Sequence, residues 1–380
     1  MSVGTVTAAE WCEVVDPVSG LALQQLTSYK TNSHHVYFTN SGWYDGDRRM
    51  LFGSDRGNRT NLYSIHLQSG EITQLTDLEP VGLPRETQFL SICVNPTRDE
   101  AYYWYDRELR ALDLVTFEQR VLCLLPEGFV RSMINCTADG LYLCSGVYED
   151  LSERIRIDVE RGYTGFREIF GAHPESRILR IAVDGSGAEC VWCEACWIGH
   201  VNTSPSLPNI LTFCHEGPWD RVDNRIWGLD LSTGATWMIR HPEPGEVVGH
   251  EYWHADGRQI GYHGSRPDGR KFFGKVRYDD TGCFEVDFPG ETGHIHSNDF
   301  SLIVGDGKGS IRLWQWNGET FDGPRALAHH RSSMKIQQAH PHPRFTRDGK
   351  RVVFTSDWTG YCQIYQVEVP RFDSLPDVPR

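Results

Sequence analysis

The segment QQAHPHPRF, Gln337 to Phe345, holds two histidines separated by one residue, each followed by proline, with Gln337 three residues ahead of the first. Proline stiffens the chain and biases the residue before it toward extended backbone. A stretch that fixes His340 and His342 this firmly either uses both rings or makes an unusual turn. Imidazoles beside a carboxamide and open positions suit Mn, Fe, Co, Ni or Zn as a divalent ion, and the hard oxygen of Gln337 shifts the preference toward Mn²⁺ over structural zinc. A second metal-like pattern is CVWCEACWIGH, with Cys190, Cys193, Cys196 and His200. Its C-x2-C-x2-C spacing resembles zinc or iron–sulfur ligation. Strand alternation, however, would set Cys190 and Cys196 on one face and Cys193 on the other, so buried structural cysteines are the expectation.

The elements that must position these groups come from internal repetition. FTNSGWYDGDRRMLFGSDRGNRTNLYSIHLQSGEITQLTD from Phe38 and FTRDGKRVVFTSDWTGYCQIYQVEV from Phe345 share a short strand, a polar turn, a strand ending in Ser-Asp, a glycine turn and a third strand. Weaker copies begin near Val94, Cys136, Thr203, Trp253 and Asn298, which makes seven strand-rich units. Radial arrays of four-stranded sheets have this spacing. The chain therefore reads as an all-β, seven-bladed β-propeller, a single domain over residues 1–380. Its last unit stops after three strands, and GLALQQLTS, Gly20 to Ser28, matches the missing fourth. The N-terminal strand is expected to close that blade and cover its open edge. GAECVWCE falls at the fourth strand of the third unit, and the charged stretch from Val147 to Glu175 reads as an elaboration of that unit.

Set against the repeat, the histidines fall at equivalent places. His35, His200 and His250 each lie three residues before a unit begins, His294 and His296 lie just before Asn298, and His340 and His342 just before Phe345. One histidine near a strand end is usually a hydrogen-bonding turn residue. Several at matching positions are expected to converge on one axial funnel.

Composition bounds the function. The net charge of −14 argues against a nucleic-acid surface and requires that an anionic ligand be held by a local positive site. No run approaches the ~18 apolar residues of a membrane helix. The N-terminal MSVGTVTAAEWCEVVD shows no secretory pattern, and eleven cysteines without paired spacing suit reduced thiols. The expected location is the cytoplasm.

Four segments then resemble, in order, a known family, the oligogalacturonate lyases, seven-bladed propellers that act on short pectin fragments. FCHEGPWDRVDNRIW (Phe213 to Trp227) is similar to its His-Glu-Gly-Pro segment, GHEYW (Gly249 to Trp253) to its His-Glu-aromatic-Trp segment, HIHSNDFSLIVGDG (His294 to Gly307) to its His-x-x-Ser-Asn segment, and QQAHPHPRF to its Gln-x-x-His-Pro-His-Pro segment. The resemblance implies a Mn²⁺ site, or one for another divalent cation, from His294, Gln337, His340 and His342. It implies that His250 is the general base and that Arg225 holds substrate and stabilises charge. His296 stands as an extra or alternative ligand, and His35, Tyr37, His200 and His215 are expected to face the substrate. The N-terminal third matches less well, apart from SHHVYFTNSGW.

The implied reaction removes a C5 proton α to a carboxylate and expels the 4-O-glycosidic oxygen, giving a 4,5-unsaturated uronate. A cation on the carboxylate offsets its negative charge, a positive donor stabilises charge where it develops, and a neutral imidazole takes the proton. Water, Tyr37 or Tyr252 would protonate the leaving oxygen; His215 and Tyr252 are the next candidates for the base. The rivals are a lyase for another uronic-acid oligosaccharide, a non-catalytic TolB-like propeller that presents a face to a protein partner, and hydrolysis by a carboxylate pair. No convincing pair of Asp or Glu stands at the blade starts, since Glu216 and Glu251 each merely follow a histidine.

Overall fold

The computed structural model describes residues 2–81, 89–159 and 161–378. Its strands form seven antiparallel sheets, the seven blades of a β-propeller. Blade one runs through Ser33–His35, Arg49–Ser54, Asn61–His66 and Ile72–Gln74, with Val6–Thr7 added outside. Blade two runs from Cys93–Val94 to Gln119–Leu124, and blade three from Phe129–Cys136 to Ala188–Ala195. Blade four runs from Ile198–Thr203 to Thr236–Ile239 and blade five from Val247–Trp253 to Phe284–Asp287. Blade six runs from Ile295–His296 to Phe321–Ala328. Blade seven holds Arg344–Phe345, Arg351–Ser356 and Gln363–Glu368.

Ala22–Gln25 pairs with Gln363–Glu368, Leu23 opposite Val367, so the N-terminal strand closes blade seven as the repeat predicts. Cys12–Val15 then adds a fifth strand. Closure gives the last strand's backbone groups their partners and removes an adhesive edge.

The chain packs as two compact units, Met1–Leu90 with Leu114–Phe117 and Phe288–Arg380, and Ser91–Asp113 with Glu118–Asp287. The first carries blades six, seven and one; its core joins Leu23, Val304, Leu313, Phe345, Phe354 and Tyr365. The second carries blades two to five, with cores such as Ile226, Val248, Ile260, Tyr262 and Phe272. Residues after Glu149 in blade three form the expected elaboration: a short helix, Phe166–Ala172, buries Ile169 with Leu151 and Trp197. No helix among the described residues is long and apolar enough to cross a membrane.

The cysteine expectation is corrected by register. A shift between Ile178 and Leu179 sets Cys190 opposite Leu179 and Cys193 opposite Arg177. Those partners are two apart, so Cys190 and Cys193 share a face, which strict alternation would forbid. Both are exposed rather than buried, because this is the outer strand of its blade.

Candidate active site

Two groups of polar side chains stand out, one in each unit. In the first unit His294 stands immediately before the innermost strand of blade six, and a 3-10 turn, Gln337–Ala339, delivers His340 and His342 to the start of blade seven. The three imidazoles are buried and offer ligand atoms within 4.8 Å of one another. His340 is extended (φ −74, ψ 132), as its proline requires. His342 departs from that expectation: it precedes Pro343 yet has φ +46. A left-handed non-glycine residue costs on the order of 1–3 kcal/mol and persists only where its surroundings fix it. Here the Pro341 carbonyl accepts the Thr355 N–H at 3.0 Å and His35 Nε2 at 3.2 Å. The rings of Tyr37 and His34 stand edge-on to His342 at 4.8 and 5.6 Å.

Burial, reinforced by the neighbouring His294, pushes His340 down to about 4 and His342 well below the usual imidazole range. Both are therefore neutral at pH 7, with lone pairs available. His340 Nδ1 and both nitrogens of His342 are buried with no hydrogen-bond partner, a cost of about 1–3 kcal/mol per group that a bound ion would offset. His294 differs: its Nδ1–H donates to Asp306 Oδ2 at 2.7 Å and its backbone N–H to Asp306 Oδ1 at 2.6 Å. That leaves His294 Nε2 as the atom that faces a ligand, the usual role of a carboxylate behind a metal-binding imidazole. Gln337 opens the 3-10 turn, half-buried, its carbonyl accepting the His340 N–H at 3.1 Å. Orphaned buried nitrogens, neutral rings and an orienting carboxylate fit a divalent transition metal. His296 does not join this group; its Nδ1 accepts the Phe345 N–H at 3.4 Å.

In the second unit β-bulges re-aim the innermost strands. Register shifts fall between Ile198 and Val201 in blade four and between Gly249 and Tyr252 in blade five, so His200, His250 and Glu251 all sit within bulges. His250 has φ +52, and its Nδ1 lies 2.9 Å from His263 Nε2. Arg225 is only 5% exposed. Its Nε donates to Glu251 Oε2 at 3.0 Å and one terminal nitrogen to Glu216 Oε1 at 2.9 Å. Burial would raise Glu251, but the Arg225 charge and the His200 bond hold it down at about 2. His200 Nδ1 lies 3.3 Å from Glu251 Oε1.

His200, Cys214 and Glu251 also bring donor atoms within 4.8 Å of one another. Glu251 is already the counter-ion of Arg225, and burial pushes the Cys214 thiol well up, so it stays protonated. A cation here would meet a guanidinium and a thiol. The network holds an arginine, not a metal.

Three residues expected to face substrate are engaged elsewhere. His35 is 2% exposed and braces the Pro341 carbonyl. His200 bonds Glu251. His215 sits between Asp223 (2.7 Å from Nδ1) and Glu194 (3.1 Å from Nε2). Burial would lower His215, but Cys196, Glu194 and Asp223 raise it to about 10. It is a clamped imidazolium, which removes it as a reserve base. Tyr37 stays half-buried beside His342, whereas Tyr252 is 2% exposed. Sequence reasoning missed Asp306, His263 and His34, and it dismissed Glu216 and Glu251, which the fold brings together on Arg225. Both are engaged by Arg225 rather than set apart across an open site as a hydrolytic acid–base pair would be.

The sequence profile of the oligogalacturonate lyase family matches residues 1–373. An oligogalacturonide lyase of Pectobacterium atrosepticum is 28% identical over 93% of this chain and 95% of its own length. An oligogalacturonate lyase of Dickeya dadantii is 27% identical over the same shares. A solved oligogalacturonate lyase in complex with manganese superposes with a TM-score of 0.87 at 25% identity, covering 98% of this chain and 99% of that one. With one profile running through nearly all of its length and the propeller shared throughout, the chain belongs to the oligogalacturonate lyase family.

Proposed function

We propose that this enzyme cleaves short oligogalacturonides, down to the dimer, by β-elimination, and that it works in the cytoplasm with Mn²⁺ or another divalent cation. The observation that carries the reading is the trio of His294, His340 and His342, all buried, with donor atoms within 4.8 Å of one another. These three, with Gln337, would hold the ion. When bound, it would neutralise the uronate carboxylate and so ease loss of the C5 proton.

His250 takes the C5 proton. Its strained backbone sits in a bulge, a device that re-aims a side chain next to a functional site. Arg225, kept cationic by two carboxylates, presents positive charge to the substrate carboxylate as charge develops there. Tyr37 is the better placed of the two tyrosines to return a proton to the leaving oxygen, because Tyr252 is buried. The net charge of −14 argues against nucleic acid as a partner. Incubation with digalacturonate under ultraviolet detection tests the reading. Elimination creates a conjugated, absorbing product, whereas hydrolysis does not, and reducing ends without absorbance would reject the reaction.

A further inference from the structure

We infer that His263 is a positioning residue for His250: it accepts the His250 Nδ1–H and so fixes the tautomer whose Nε2 can take a proton. This rests on the reading of His250 as the base. The two rings form a hydrogen-bonded pair, Nδ1 to Nε2 at 2.9 Å, with centroids 5.2 Å apart and planes only 6° from parallel. Nothing in the sequence links them, since they are thirteen residues apart. The fold does so through the blade-five hairpin, where Gly249 lies opposite His263 and the bulge begins directly after Gly249.

The pair is held by its surroundings. Trp219 stands edge-on to His250 at 4.9 Å and to His263 at 5.7 Å. A Cβ on Gly249 would lie 2.3 Å from the Trp219 ring, so only glycine lets the indole rest there. His263 is 6% exposed, so the acceptor side of this bond is buried.

A neutral imidazole has one N–H, and the base must keep a lone pair on the nitrogen that faces substrate. If His263 donated to His250 Nδ1, the proton of neutral His250 would sit on Nε2 and block it. With His250 donating, Nε2 keeps the lone pair. As Nε2 gains the C5 proton, the Nδ1–H···Nε2 bond turns from neutral to charge-assisted and strengthens. The bond therefore stabilises the reacting state more than the resting one, so its loss should lower kcat rather than raise KM.

The test compares His263→Leu, which cannot accept a hydrogen bond, with His263→Gln, whose amide oxygen can, both with the metal in place. We expect about a 10- to 100-fold fall in kcat for the leucine variant, little change in KM or metal content, and recovery to within several-fold in the glutamine variant. Equal losses in the two variants would show that the ring only packs, and normal turnover in His263→Leu would also overturn the proposal. A parallel His250→Ala separates the layers. If it turns over normally, the assignment of the base fails; if it is inactive while His263→Leu is normal, only the inference about His263 fails.

Discussion

Replacing Asp306 by Asn should weaken metal binding by about 10- to 100-fold without unfolding the protein. Asp306 is 2% exposed, and its two oxygens accept two different N–H groups of one residue, the ring Nδ1–H and the backbone N–H of His294. Asparagine offers one oxygen and one NH₂. In one orientation the NH₂ meets the ring, so the His294 Nδ1 proton must move to Nε2, the atom that would face the ion. In the other, the NH₂ meets the backbone N–H, leaving a buried donor–donor contact that pushes the strand start away. Either outcome costs about 1–3 kcal/mol, which matches the loss in affinity at 1.4 kcal/mol per tenfold. Titration calorimetry of Mn²⁺ into chelator-treated protein reads the effect without relying on turnover, with thermal unfolding as the control for folding. Parental affinity in Asp306→Asn would refute the claim that this carboxylate sets the His294 tautomer.

Chelator treatment should abolish activity and Mn²⁺ restore it; full activity in a sample shown to be metal-free would contradict the site. His342→Ala should lose metal, as read by elemental analysis, yet stay folded, since it deletes two unsatisfied nitrogens. His250→Ala should retain metal and lose about 10²–10⁴ in kcat. Arg225→Ala should cost about 3–5 kcal/mol of stability as well as turnover, because Glu251 would be left buried without its guanidinium, which denaturant unfolding measures. His215 gives a pH signature. Its folded value of about 10 lies above the unfolded ~6.5, so its contribution to stability is full below pH ~6.5 and fades as pH rises toward 10. In His215→Gln that part of the alkaline slope should disappear from melting curves.

The repeat was legible because it is local. Strand, turn and Ser-Asp signals recur within each unit, and a three-strand last unit with a spare strand at Gly20 to Ser28 implies its own closure. The grouping of His294, His340 and His342 was legible in part for a related reason: each stands near the start of an innermost strand, and a propeller places such starts alike. What the tertiary structure alone decided depends on register and on distant partners. One extra residue in a bulge reverses which face the following side chains take, so Cys190 and Cys193 came to one side and His250 came to meet His263. The charge balance was equally hidden. Arg225 finds Glu251 twenty-six positions away, and His215 becomes an imidazolium because Cys196, Glu194 and Asp223 surround it. Sequence spacing carries the period of a strand. It does not carry the cross-strand pairing that fixes the bulges, the burial that keeps His342 neutral, or the polar partners that overcome burial and make His215 a cation.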